Sequence, residues 1–145
     1  MDNYFKMQIP AISQNEAFAR NAVSAFALTL SPTIEEINDV KTAVSEAVTN
    51  AIVHGYRRKR GEVYITVRML LGQIFSVEIR DRGCGIPNVE EAMQPLFTTD
   101  SEGERSGMGF SVMQTFMDEV SVTSEVGVGT RVLMQKRITG EHEGR

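Results

Sequence analysis

The chain has 145 residues, 41% of them hydrophobic and 23% charged, enough for one ordinary domain with a core of its own. Its net charge of −4 argues against a general nucleic-acid binder, whose phosphate contacts need an excess of Lys and Arg. A single cysteine, Cys84, excludes an internal disulfide framework or a Cys-rich zinc site; with no bilayer-spanning apolar run and no secretion-type leader, the expectation is a cytoplasmic protein with no membrane contact.

Phe5, Met7 and Ile9 alternate before Pro10, as in a half-buried strand. From Ser13, SQNEAFARNAVSAFALTL spaces Phe18, Ala22 and Phe26 by four, which predicts a first helix closed off before Pro32. Thr33 and Glu36 form a TxxE capping box for a second helix. Its apolar stripe is Ile37, Val40, Val44, Ala47 and Ala51, and Gly55 is placed to end it. The following cluster, Arg57, Arg58, Lys59 and Arg60, reads as a solvated turn, with a partner or phosphate contact as the alternative.

Val63, Ile65, Val67 and Met69, then Phe75, Val77 and Ile79, alternate around Gly72 and predict a β-hairpin. The Gly-rich DRGCGIP follows, then a short helix within 88–94 that must stop at Pro95. TTDSEGERSGMG, 98–109, lacks hydrophobic periodicity and reads as a long mobile loop. Phe110 to Glu119 looks helical, and two alternating runs, 120–126 and 130–138, flank the turn GVG. The sum is an α+β, two-layer sandwich, with helices on one face of a mixed, mostly antiparallel sheet. It fills a single domain over 1–138, and residues 139–145, TGEHEGR, form a frayed polar tail.

Three stretches carry candidate chemistry. On the second helix Thr42, Glu46, Asn50 and His54 recur every four residues, drifting only about 40° per step, so they make a polar stripe away from the apolar one. That stripe suits a solvent-facing surface, yet it also offers a carboxylate one turn from an amide oxygen, a hard ligand suited to Mg²⁺ when phosphate supplies the rest. Asp81 sits at the end of its strand, and Gly83 and Gly85 follow it. This pattern fits a tight turn, and equally a backbone that approaches a flat ligand while the carboxylate accepts from an exocyclic amine. Gly107 and Gly109 precede the helix at Phe110, which reads as a loop hinge or as an anion-binding backbone.

In this order the stretches match neither a Walker-type phosphate loop nor a protein-kinase set, since GxxxxGK[ST], HRD and DFG are all missing. They resemble the GHKL ATP-binding superfamily, with its Bergerat fold, which includes histidine kinases and DNA gyrase. EAVTNAIVH resembles the N box, DRGCGIP the first glycine box, PLFTT the approach to the ATP lid, SGMGFSVM the second glycine box and GVGTRVLM the final strand pair. The chain looks most like the small bacterial serine kinases that act as anti-sigma factors in sporulation, and that similarity extends to its opening residues.

The resemblance implies phosphoryl transfer from ATP, with ATP or ADP and Mg²⁺ as cofactors. It implies that Asn50 holds Mg²⁺ and that Glu46 is the general base for an incoming serine hydroxyl. It makes Asp81 the adenine acceptor, with room given by Gly83 and Gly85 and help from Thr130. Gly107 and Gly109 would let the lid wrap the phosphates, Arg105 would reach the terminal phosphate, and His54 would be a helix-end hydrogen-bond partner or phosphate neighbour. The implied partners are a sigma factor of the sigma F type, an anti-anti-sigma protein as substrate, and a second copy in a homodimer. Arg20 and the first helix are candidate partner contacts. Two alternatives stand beside this: a nucleotide-binding regulator without kinase activity, and a free-standing ATPase or histidine-kinase catalytic module.

Overall fold

A computed structural model describes residues 3–94 and 109–140. The second helix, α2 (Ile34–Asn50), follows α1 (Gln14–Ala27) and starts at the expected box: the Thr33 side chain accepts from Glu36 N at 3.0 Å, and Glu36 Oε1 accepts from Thr33 N at 2.9 Å. The same carboxylate binds the far end of the chain. It accepts from Thr139 N at 2.8 Å, Thr139 Oγ1 at 2.7 Å and Gly140 N at 3.2 Å. Thr139 and Gly140, expected to begin a frayed tail, are therefore held against the start of α2, while 141–145 lie outside the described residues.

Burial alone would raise the pKa of Glu36, but these donors outweigh it and lower it to about 2 from an ordinary 4.5. A carboxyl depressed on folding contributes stability above its unfolded pKa, and that contribution is lost as pH falls from about 4.5 towards 2. Glu36→Ala is expected to cost on the order of 2–3 kcal/mol at pH 7, and far less near pH 2, in denaturant melts at the two pH values. An equal loss at both would show that the carboxylate charge plays no part.

The apolar stripe of α2 is as expected, with Val40, Val44, Ala47 and Ala51 buried. On α1 the stripe is shifted by one residue. Ala19, Val23 and Ala27 are wholly buried, whereas Phe18 is 55% exposed and Phe26 stands at the edge of the core, its ring edge-on to Phe5 at 4.9 Å. Small residues at the α1–α2 contact let the helices approach closely, and the large aromatics are left to the margins.

The sheet comprises β1 (Asn3–Pro10), β2 (Glu62–Leu70), β3 (Ile74–Asp81), β4 (Glu119–Glu125) and β5 (Gly129–Arg137), in the order β1-β2-β3-β5-β4. All four neighbouring pairs are antiparallel, so the mixed sheet expected from sequence is corrected. Alternation brings Val63, Ile65, Val67, Phe75, Val77, Ile79, Val132 and Met134 to the helix-covered face. On the opposite face the guanidinium groups of Arg80 and Arg82 stand over the Tyr64 ring, at 4.9 and 4.8 Å, and Arg131 pairs with Glu78.

Two short helices complete the fold. Asn88 Oδ1 caps α3 (Val89–Ala92) by accepting from Glu91 N at 3.0 Å. The next helix, α4 (Phe110–Phe116), ends before the expected Glu119, which instead opens β4 opposite Gln135. PLFTT and nearly all of the expected loop 98–109, including Arg105 and Gly107, lie outside the described residues. Among the described residues no helix is long and apolar enough to cross a membrane.

Candidate functional site

A small cleft opens where the end of α2 meets the end of β3. Asn50, His54, Asp81, Gly85 and Thr130 line it, with Ile79, Ile86, Phe110 and Val132 as apolar walls. Asn50, His54, Asp81, Gly85 and Thr130, five residues singled out from widely spaced motifs, thus share one cavity. Its mixture of apolar walls and a few converging polar groups is the make-up of a small-molecule site.

The helix does not end as expected. Past Asn50 the backbone loosens into a π turn, Ala51–Gly55, in which Tyr56 N donates to Ala51 O at 2.9 Å. Gly55 is not among the residues with positive φ, so it is no left-handed cap. Its missing side chain has another reason: a Cβ there would lie 2.8 Å from the Asp81 carboxylate. A Cβ on Gly83 would lie 2.1 Å from Gly55 O, the same oxygen that accepts from Cys84 N at 2.9 Å. Contact between these two glycines brings the strand end beneath the helix end. It thereby places Asp81 in the cleft beside Asn50.

Asp81 is buried at 6% exposure, and its Oδ1 accepts from Gly83 N at 2.8 Å. Burial raises its pKa above the ordinary value, with the backbone N–H groups of Gly83 and Thr130 partly opposing. Thr130 stands directly across the ladder from Asp81, on the same face. Gly85, at φ 81°, turns the loop tightly against the end of β4.

Glu46, one turn before Asn50, lies outside the cleft lining and faces the start of α4. A Cβ on Gly109, at φ 69°, would fall 2.1 Å from Glu46 Oε1, so that glycine lets the carboxylate meet the backbone entering α4. Burial raises the Glu46 pKa, which moves it towards the range useful for a general base. Burial lowers that of His54 below its ordinary 6.5, which favours the neutral imidazole.

Arg20, expected to serve partners, is already engaged: its Nη1 lies 3.1 Å from Glu16 Oε2 and 3.3 Å from Ser45 Oγ. Cys84 Sγ lies 3.2 Å from His54 O and ties the glycine loop to the π turn. Arg57 to Arg60 are exposed, with Arg57 and Arg58 at left-handed φ, in keeping with a solvated turn.

Two residues of the site escaped sequence reasoning. Tyr56 OH accepts from Arg82 N at 2.7 Å and donates to Glu62 O at 2.6 Å, clamping the strand ends that flank the cleft. Ser124 Oγ bonds Ile86 N, Gly129 O and Thr130 Oγ1 at once. Neither stands in a recognisable motif, and Ser124 finds Thr130 only through the β4–β5 register.

Among the described residues no group of three or more His, Cys, Asp or Glu could cage a metal by itself. One amide ligand, Asn50, at the rim of a cleft is nevertheless a donor set that fits Mg²⁺, which keeps most of its shell as water and phosphate oxygens.

Residues 9–136 match the histidine kinase-like ATPase domain family. A relative from Clostridium perfringens strain SM101, named anti-sigma F factor, is 51% identical over 138 residues, covering 95% of this chain and 99% of its own. Relatives of the same name from Geobacillus sp. WCH70 and Thermoanaerobacter sp. X514 are 55% and 56% identical, covering 96% and 94% of this chain and 95% and 94% of theirs. In fold the chain is similar to the RsbU and RsbW domains of a Mycobacterium tuberculosis protein, with TM-score 0.67 at 16% identity over 94% of this chain and 32% of that one. The catalytic domain of histidine kinase ThkA gives TM-score 0.56 at 14% identity, over 94% of this chain and 96% of that one.

Proposed function

The chain belongs to the histidine kinase-like ATPase domain family, among its anti-sigma F factors, and from that premise we propose an ATP-dependent protein serine kinase that also sequesters a sigma factor. The observation that carries the kinase part is that Glu46, on α2 one turn before Asn50, faces Gly109 at the start of α4.

Asp81 accepts a hydrogen bond from the exocyclic amine of adenine, Thr130 assists directly or through water, and Gly83 and Gly85 let the loop pack against Gly55 and the end of β4 so that Asp81 stands in the cleft. Asn50 would be the residue that holds Mg²⁺, and the ion would supply neutralisation of phosphate charge. Glu46 takes the proton of a serine hydroxyl as that oxygen bonds to the terminal phosphorus, and the bond from that phosphorus to the bridging oxygen breaks to release ADP. Gly109, together with Gly107 and Arg105 outside the described residues, serves the phosphates from the lid. His54, in the π turn after α2, serves as a hydrogen-bond partner or phosphate neighbour.

The serine belongs to an anti-anti-sigma protein, and the sequestered partner is a sigma factor of the sigma F type, held while nucleotide is bound. The cytoplasm is the compartment this implies. Two copies form a homodimer through the first strand and helix; a monomer in sedimentation at micromolar concentration would remove that part. The Arg20–Glu16 pair on α1 offers a polar contact that a partner can recruit.

The test is capture of a purified sigma F-type factor on the immobilised protein with ADP, with ATP and Mg²⁺, or with neither. Capture is expected to rise at least about tenfold with nucleotide, and to fall in Arg20→Glu. Capture indifferent to nucleotide contradicts the gating, and unchanged capture by Arg20→Glu removes that residue from the interface.

A further inference from the structure

Ser124, on β4 behind the cleft, makes three hydrogen bonds through one hydroxyl. Ile86 N donates to its Oγ at 2.7 Å, Gly129 O lies at 3.0 Å, and Thr130 Oγ1 lies at 2.8 Å. A serine hydroxyl has one proton and two lone pairs, so three bonds exhaust it. The amide of Ile86 can only donate, and the carbonyl of Gly129 can only accept. The serine proton therefore goes to Gly129 O, one lone pair takes Ile86 N–H, and the other is left for Thr130. Only Thr130 can supply the proton of that last bond.

The consequence falls on the cleft. With its proton committed to Ser124, the Thr130 hydroxyl can only accept from a ligand. Asp81, directly across the ladder, already receives the Gly83 amide and likewise presents lone pairs. Both polar groups at this end of the cleft are thus acceptors.

We propose that Ser124 is a positioning and specificity-determining residue: by holding Thr130 as an acceptor it makes the cleft select a base that carries an amino group over one that carries a carbonyl at the same place. The proposal rests on the reading of this cleft as a nucleotide site. Without Ser124 the Thr130 hydroxyl is released to turn and donate to a carbonyl. Discrimination then falls to Asp81 alone.

The experiment compares the affinities of the full chain for ADP and for inosine diphosphate, which replaces the amino group by a carbonyl. The unaltered protein is expected to prefer ADP by at least about 100-fold, since a site built to bond one polar group rejects its mismatch strongly. Ser124→Ala is expected to lower the ratio about tenfold, chiefly by strengthening inosine diphosphate binding relative to ADP. Thr130→Val is expected to lower the ratio as well, and Ser124→Ala added to it changes nothing further.

A ratio of two affinities measured on the same preparation is unaffected by a fraction of unfolded protein. If Ser124→Ala weakens both nucleotides equally, Ser124 merely braces the loop and the proposal is overturned. If Ser124→Ala does not fold, an unchanged ratio in Thr130→Val overturns it instead. Failure of the unaltered protein to bind either nucleotide removes the reading of the cleft itself, a result distinct from a constant ratio.

Discussion

Glu46→Gln is expected to lower phosphoryl transfer to the partner's serine about a thousandfold, within the range that a positioned general base supplies, and to change ATP affinity less than about threefold. Glutamine keeps the shape that meets Gly109 and removes only the capacity to take a proton. Nucleotide affinity is spared because Glu46 lies outside the cleft lining. The pH profile carries a second signature. Burial raises the Glu46 pKa above 4.5 and the base acts deprotonated, so the rate falls as pH drops through a value above 4.5. Initial rates with saturating ATP, measured across pH, check both. A variant as fast as the unaltered protein would show that Glu46 is not the base.

Asp81→Asn is expected to weaken ADP binding by about 30- to 100-fold. The native carboxylate receives Gly83 N–H and, in the proposed complex, the amine of adenine. Asparagine offers one oxygen and one NH₂, so one of those two donors faces another donor. A buried polar group left unmatched costs about 2–3 kcal/mol, which corresponds to that loss of affinity. Calorimetric titration with ADP reads it directly. Equal affinity in the variant would place the base elsewhere.

How much of this was legible in sequence depended on how local each determinant is. The capping box of α2 depends on residues three apart, and the glycine-rich DRGCGIP, like the two hairpins, was visible as punctuation between alternating runs. The co-location of Asn50, Asp81 and Thr130 came from resemblance and not from spacing, since nothing in periodicity brings residues from a helix and two strands into one cleft.

What sequence missed depends on packing. The stripe of α1 is carried by Ala19, Val23 and Ala27, small residues that no hydrophobic template favours over nearby phenylalanines. Gly55 looked like a helix cap and is a contact point for Asp81; the difference depends on a strand 26 residues later. Glu36 was read as half of a local box, although it also secures Thr139 and Gly140, 103 and 104 residues away. Ser124 was one serine in an alternating strand until register set it against Thr130.

The most direct measurement incubates the protein and Glu46→Gln, both checked for ATP binding, with Mg²⁺, γ-labelled ATP and a candidate anti-anti-sigma partner, and reads acid-stable label on that partner. The account expects acid-stable label with the unaltered protein and almost none with the variant. Acid-labile label would point to a histidine acceptor; no label despite ATP binding by both would contradict the kinase and leave nucleotide-gated sequestration.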